Sequence, residues 1–277
     1  MIRYKYQGFT LIELIMVIVI VGILATITTK IITFPVSSYL DLQRRTTLVD
    51  TAELALRLMQ RDIRRSLPNS VRITGGGTVI ELLHVEEGGR YRAGLDINAA
   101  ATAGLCSSNP AGDILDFTLA DNCFEVIGNL KVFNPQATAG ESLVIYNLGN
   151  LSADAYAGSN QTKMINSSNA KVINFNTFRF PFNSPQQRFF IIDTPVTYLC
   201  TNNQLLRYSG YAISATQPNP PTGVIGQLQA NKIASCSFIY DPGTAARSGL
   251  VTIKITLTDT VGESVQLMQQ IHVDNVP

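Results

Sequence analysis

The chain has 277 residues, 45% of them hydrophobic and 15% charged, and its 21 Lys+Arg against 20 Asp+Glu leave a formal net charge of +1. A mean hydropathy of +0.15 implies that part of the chain sits in a membrane, while the near-zero charge excludes a general polyanion binder. Only two histidines, His84 and His272, are present, which excludes a three-His zinc centre and leaves little scope for a His-based triad.

Residues 1–8 carry Arg3 and Lys5, and from Phe9 to Thr29 the sequence is apolar with Glu13 as its only charge. At ~1.5 Å per residue this run makes about 31 Å of helix, enough to cross the hydrocarbon core. The basic flank predicts a cytoplasmic N-terminus with the remainder exported. Gly22 to Thr26 lacks a clear A-x-A pattern, so removal of the whole segment is not favoured. A carboxylate in such a run costs ~2 to 3 kcal/mol on insertion scales, so Glu13 needs a cationic partner or a route to water.

Gly8-Phe9-Thr10-Leu11-Ile12-Glu13 resembles the processing signal of type IV pilins and type II secretion pseudopilins. The resemblance implies that a prepilin peptidase cuts after Gly8 and methylates the new amine of Phe9. It implies that the apolar helix holds the subunit in the inner membrane and later packs in a filament core. Glu13 would there meet the amine of Phe9 on a neighbouring subunit, a pairing that strengthens in low dielectric and sets axial register.

Leu48, Ala52, Leu56, Met59 and Ile63 recur every three or four residues, which predicts an amphipathic stem helix packed on a sheet. The opposite side, Glu53, Arg57, Arg61, Asp62, Arg64 and Arg65, reads as a solvated face with Glu53 pairing Arg57. No aromatics interleave these arginines, which argues against nucleic acid. Pro68 is expected to end the helix, and Pro35 to kink or locally melt it.

Residues 71–85 read as a first β-hairpin turning at Gly75-Gly76-Gly77, with His84 a strand residue holding one hydrogen bond. Residues 96–140 are rich in Ala, Gly, Asn and Asp; Asp113, Asp116 and Asp121 do not follow EF-hand spacing, so calcium is weakly indicated and no metal site is assigned. Residues 149–176 have the composition of a long surface excursion. Strands resume at 188–200 and 204–213 around an Asn202-Asn203 turn. The PNPPTG run at 218–223 is a stiff connector. Three alternating strands, 232–240, 249–259 and 263–273, then form a meander in which His272 is structural.

Cys106, Cys123, Cys200 and Cys236 contain no C-x-x-C, which favours two disulfides in an oxidising compartment over zinc or redox chemistry, with buried free thiols as the alternative. Three pairings are open. Cys106 with Cys123 and Cys200 with Cys236 close modest loops, each stabilising by ~3 to 4 kcal/mol in the chain-entropy treatment.

The expected fold is α+β and pilin-like: leader 1–8, membrane and filament-core helix 9–30, stem helix 31–68, and a periplasmic antiparallel β-rich head 69–277 with a polar insert at about 96–176. The stem, the strand to Cys200 with its following hairpin, and the C-terminal ESVQLMQQIHVDNVP resemble the large minor pseudopilins of the J or W type, and within pili the O-type biogenesis proteins of the mannose-sensitive haemagglutinin pilus. That resemblance implies a scarce assembly subunit at or near a filament tip. Its partners would be the prepilin peptidase, major and other minor pilins, and an inner-membrane assembly platform. The chain has no G-x-S-x-G, Walker A, H-E-x-x-H or Rossmann pattern, so neither an enzyme nor a cofactor is expected. A tip adhesin with a ligand-binding head and a single-pass periplasmic anchor are the competing classes.

Overall fold

The computed structural model describes residues 8–94, 114–137, 140–150, 152–243 and 247–275. Helix α1 runs from Leu11 to Arg64 over 54 residues, about 80 Å at ~1.5 Å per residue. Thr10 caps it in an extended conformation, its Oγ1 accepting the Glu13 N–H at 3.4 Å. The helix ends at Arg64, four residues before Pro68, with the N–H groups of Arg65 and Ser66 bonding the carbonyls of Asp62 and Ile63 at 3.1 and 3.2 Å.

The helix is unbroken through Pro35, contrary to the expected local melting. Proline removes a single donor from the ladder. On either side, the hydroxyls of Thr33 and Ser37 donate to the carbonyls of Thr29 and Phe34 at 2.8 and 2.9 Å.

Among the described residues none before Leu48 is buried. From there Leu48, Ala52, Ala55, Leu56, Met59 and Ile63 pack into the largest apolar cluster of the head. Glu53 and Arg57 pair at 3.0 Å on the open side.

Among the described residues the head contains twelve strands. Strands β1 (Arg72–Thr74) and β2 (Val79–Tyr91) form the first hairpin, turning at Gly75 to Gly77, all three with positive φ. Strands β7 (Arg188–Thr201) and β8 (Gln204–Ser209) join through Asn202 and Asn203 at φ 48 and 59, the left-handed pair that a two-residue hairpin demands. Strand β8 ends short of the expected residue 213, because Gly210 at φ +79 turns the chain away. After the connector comes β9 (Gln227–Ala230), which pairs with β8. Strands β10 (Ile233–Asp241), β11 (Gly249–Thr258) and β12 (Ser264–Val273) form a separate three-stranded meander as expected.

Between the two hairpins lie β3 (Asp121–Ile127), β4 (Ser142–Ile145), β5 (Gln161–Ile165) and β6 (Val172–Phe178). Strand β5 and most of β6 fall inside the segment expected to be a surface excursion, yet Met164, Val172, Ile173 and Phe175 are buried, so 149–176 is not simply a surface excursion. Each of these strands is only four to seven residues long and sits among Ser, Asn and Gly, so averaged composition conceals the few inward residues.

The pairings β2–β3, β3–β6, β6–β5, β5–β4, β4–β7 and β7–β2 are all antiparallel and return to their start. They close a six-stranded barrel, an arrangement that leaves no edge among its members. Its interior is aromatic: Phe124 packs edge-on to Phe189 with centroids 5.3 Å apart and lies 6.0 Å from Phe175, with Leu143, Ile145 and Ile191 completing the fill.

The head is therefore two lobes sharing two long strands. One half of β2 and β7 lies with β1, β8 and β9 over the stem, and the other half walls the barrel. The Cys200–Cys236 disulfide, with Cα atoms 6.5 Å apart, ties β7 to β10 and so joins the large sheet to the meander. Cys123 is also disulfide-bonded; Cys106 lies outside the described residues.

Candidate functional site

The stretch containing Gly8, Phe9 and Glu13 opens an unaccompanied helix. A Cβ on Gly8 would meet no atom within 4 Å, so nothing among the described residues demands glycine there. Phe9 is 82% exposed, and large apolar side chains from Leu11 to Leu42 are exposed on all sides of the helix. A helix apolar all round is stable only inside lipid or against other apolar surface. Glu13 occupies the third helical position, where the N-terminal partial charge favours a carboxylate.

The stem meets the head through a polar latch that the sequence reading placed in water. Asp62 is 3% exposed, not solvated. It accepts the Tyr198 hydroxyl at 2.9 Å and Arg207 Nε at 2.7 Å. Burial and the adjacent carboxylate push the Tyr198 phenol up, while Asp62 holds the Arg207 guanidinium in its charged form against burial. A signal for this existed, since Leu48, Ala52, Ala55, Met59 and Asp62 alternate by four and three, which puts Asp62 on the apolar stripe.

A second buried pair, also missed, ties the lobes together. Arg72 lies 2.9 Å from the fully buried Glu81 and 3.5 Å over the Tyr156 ring, and it donates to the carbonyls of Ser214 and Ala215 at 2.8 Å. Burial raises the Glu81 carboxyl, against the lowering by Arg72.

The two histidines have separate settings. His84 Nδ1 lies 2.9 Å from Asp193 Oδ1, the satisfied strand histidine expected. Asp193 is buried enough to be raised, but His84 and nearby backbone N–H groups hold it below the usual carboxylate range. His272 is an exposed residue of β12 opposite Leu250. Of the three acids weighed for calcium, Asp113 lies outside the described residues. Asp116 accepts from Thr118 and Leu119, and Asp121 from Asp116, Asn122 and Cys123. Both carboxylates thus anchor their own turns, and among the described residues no cluster of three metal-ligating side chains occurs.

Residues 3–29 match the family model described as the prokaryotic N-terminal methylation motif. No curated protein and no solved structure matches the chain. Within the described residues α1 is long and apolar enough to cross a membrane, which suits membrane anchoring. Such a motif implies processing by prepilin peptidase and assembly with other pilins, and it points to a structural subunit rather than an enzyme. Joined to a long apolar helix and an antiparallel β-sheet head, it points to a type IV pilin-like protein.

Proposed function

We propose that the chain is a minor pilin or pseudopilin that helps to initiate or cap a type IV filament after cleavage between Gly8 and Phe9. In this reading residues 1–8 are the leader, 9–30 the membrane and filament-core helix, 31–68 the stem, and 69–277 the periplasmic head. The observation that carries it is the prepilin motif heading a helix with no buried residue from 11 to 47. Apolar surface on that scale requires lipid before assembly and neighbouring helices after it. Glu13 supplies a carboxylate for the amine of Phe9 on the next subunit.

The minor, terminal role is supported by the head. A barrel lobe added to the stem-covering sheet makes a broad head on a single helix. Stems in a helical filament pack at a short axial rise, so a head of this breadth at every position would collide with its neighbours, and at an end that limit relaxes. The sequence resemblance to O-type biogenesis proteins of the mannose-sensitive haemagglutinin pilus favours a surface pilus over a secretion pseudopilus. Quantitative mass spectrometry of sheared filaments should find this chain far below the major subunit, with immunogold at filament ends. Near-stoichiometric amounts, or label along the shaft, would make it a major structural pilin.

A further inference from the structure

Strands β2 and β7 lose register where they pass from one lobe to the other. Leu83 pairs with Pro195 and Val85 with Ile192, so His84 stands alone against Asp193 and Thr194. A bulge of this kind re-aims side chains, and Pro195, with no N–H to offer the ladder, suits such a position. Beside the bulge is a cleft of about 530 Å3, bounded by β4 and β5 of the barrel, the bulged part of β7 and the chain after β8. Its size is that of a small-molecule site, and it lies at the seam of two lobes, where such sites concentrate.

Three lining residues are glycines with left-handed backbones, Gly140, Gly158 and Gly210, at φ +96, +78 and +79. A Cβ on any of them would meet no atom within 4 Å. The left-handed turns account for the glycines, and their consequence is an open rim that presents bare backbone.

The polar groups of the lining supply both acceptors and donors. Asp193 gives one oxygen to His84 and has a side chain 42% exposed, which leaves acceptor capacity towards the cleft. The side chain of Gln161 makes no hydrogen bond among the described residues, and its Oε1 is buried without a donor. Turning that amide to a ligand would therefore break nothing. Lys163 donates to the Gly140 carbonyl at 2.7 Å and remains exposed. One carboxylate and one ammonium give the cleft no net charge, so its lining does not select for an anion. Tyr211, Ala212 and Ile213 supply an apolar side.

We propose that this cleft binds an uncharged polyhydroxylated ligand, a mono- or disaccharide. Its hydroxyls donate to Asp193 and Gln161, and its C–H face lies on Ile213 and Tyr211. The proposal goes beyond the assembly reading and does not depend on it.

The test uses the mature full chain in micelles of a non-glycosidic detergent. Saturation-transfer NMR and calorimetric titration are run with glucose, galactose, N-acetylglucosamine, lactose and chitobiose, against sialyllactose and inorganic phosphate. At least one neutral sugar should bind saturably with a Kd of about 0.1–10 mM, and Gln161→Leu should weaken it at least ~10-fold. The melting temperature of Gln161→Leu should stay at or above that of the parent, since Gln161 holds nothing in the fold. Asp193→Asn, which keeps an acceptor for His84, provides a second variant with the same expected loss. Absence of binding across the neutral panel up to ~20 mM, unchanged affinity in both variants, or preference for phosphate or sialyllactose would overturn the proposal.

Discussion

Replacing Asp62 by alanine should loosen the head from its stem, and the cost follows from what is left behind. Asp62 is 3% exposed and is the acceptor for both the Tyr198 hydroxyl and Arg207 Nε. In Asp62→Ala the Arg207 side chain, only 21% exposed, loses its counter-charge. Breaking a buried pair from one side costs about 3–5 kcal/mol. Arg207 keeps some access to water and a 3.1 Å bond to Ser209 Oγ, which places the cost near the lower end, about 3 kcal/mol. At ~2–4 °C per kcal/mol for a chain of this size, the melting temperature should fall by about 6–12 °C. Asp62→Asn keeps an acceptor, and Tyr198→Phe removes one neutral donor, so each should cost ~1–2 kcal/mol. Thermal unfolding of the mature protein in micelles, read by circular dichroism, measures all of these. A double-mutant cycle with Arg207→Met should show a coupling of at least ~1 kcal/mol. A shift under ~2 °C for Asp62→Ala, or additive losses in the cycle, would refute the latch.

Gly8→Leu should leave uncut precursor on anti-head immunoblots with an unchanged melting temperature, because a Cβ at Gly8 meets nothing among the described residues; mature protein beginning at Phe9 would contradict this. Glu13→Leu should be cleaved and inserted normally yet be absent from sheared filaments, and unchanged incorporation would mean that the carboxylate does not set register. Cys200→Ser opens a link spanning 36 residues, worth about 4 kcal/mol in the chain-entropy treatment. Its melting temperature should therefore fall by roughly 8–16 °C, and a loss under ~3 °C would show that packing alone holds the meander to β7.

Linear and periodic signals were readable, and partnerships between distant segments were not. The N-terminal motif is legible because the signal is a contiguous string. The hairpin turns were legible because Gly75 to Gly77 and Asn202-Asn203 tolerate positive φ. Strands β11 and β12 alternate cleanly because one face of the meander is wet. Asp62 was misplaced because it sits in a run of arginines whose charge masked its place on the apolar stripe. The barrel was missed for a different reason. Strands β2 and β7, 13 and 14 residues long, read as ordinary hairpin arms, and nothing in either strand reveals that its far half pairs with β3 or β4. The cleft draws its residues from segments spread between 140 and 213, each unremarkable alone.

Strand β7 also sets how the molecule should respond to load. Along its length Phe189 and Ile191 fill the barrel, Asp193 reaches the cleft, Tyr198 binds the stem at Asp62, and Cys200 clamps the meander. Strand β2 runs beside it through both lobes, paired with it on either side of the bulge, so the lobes are joined by two shared strands instead of by a linker. Barrel and stem-covering sheet should then open as one cooperative unit. Native-state hydrogen exchange of the mature protein tests this, since slow amides of β3 and β6 should open with the same free energy and denaturant dependence as those of Val79 to Leu83. A barrel exchanging by a separate transition, at least ~2 kcal/mol easier to open, would show that the bulge at His84 acts as a hinge and that the shared strands do not couple the lobes. With coupling, force applied to the head reaches the stem helix through β7 and the Asp62 latch, as the proposed filament-ending role requires.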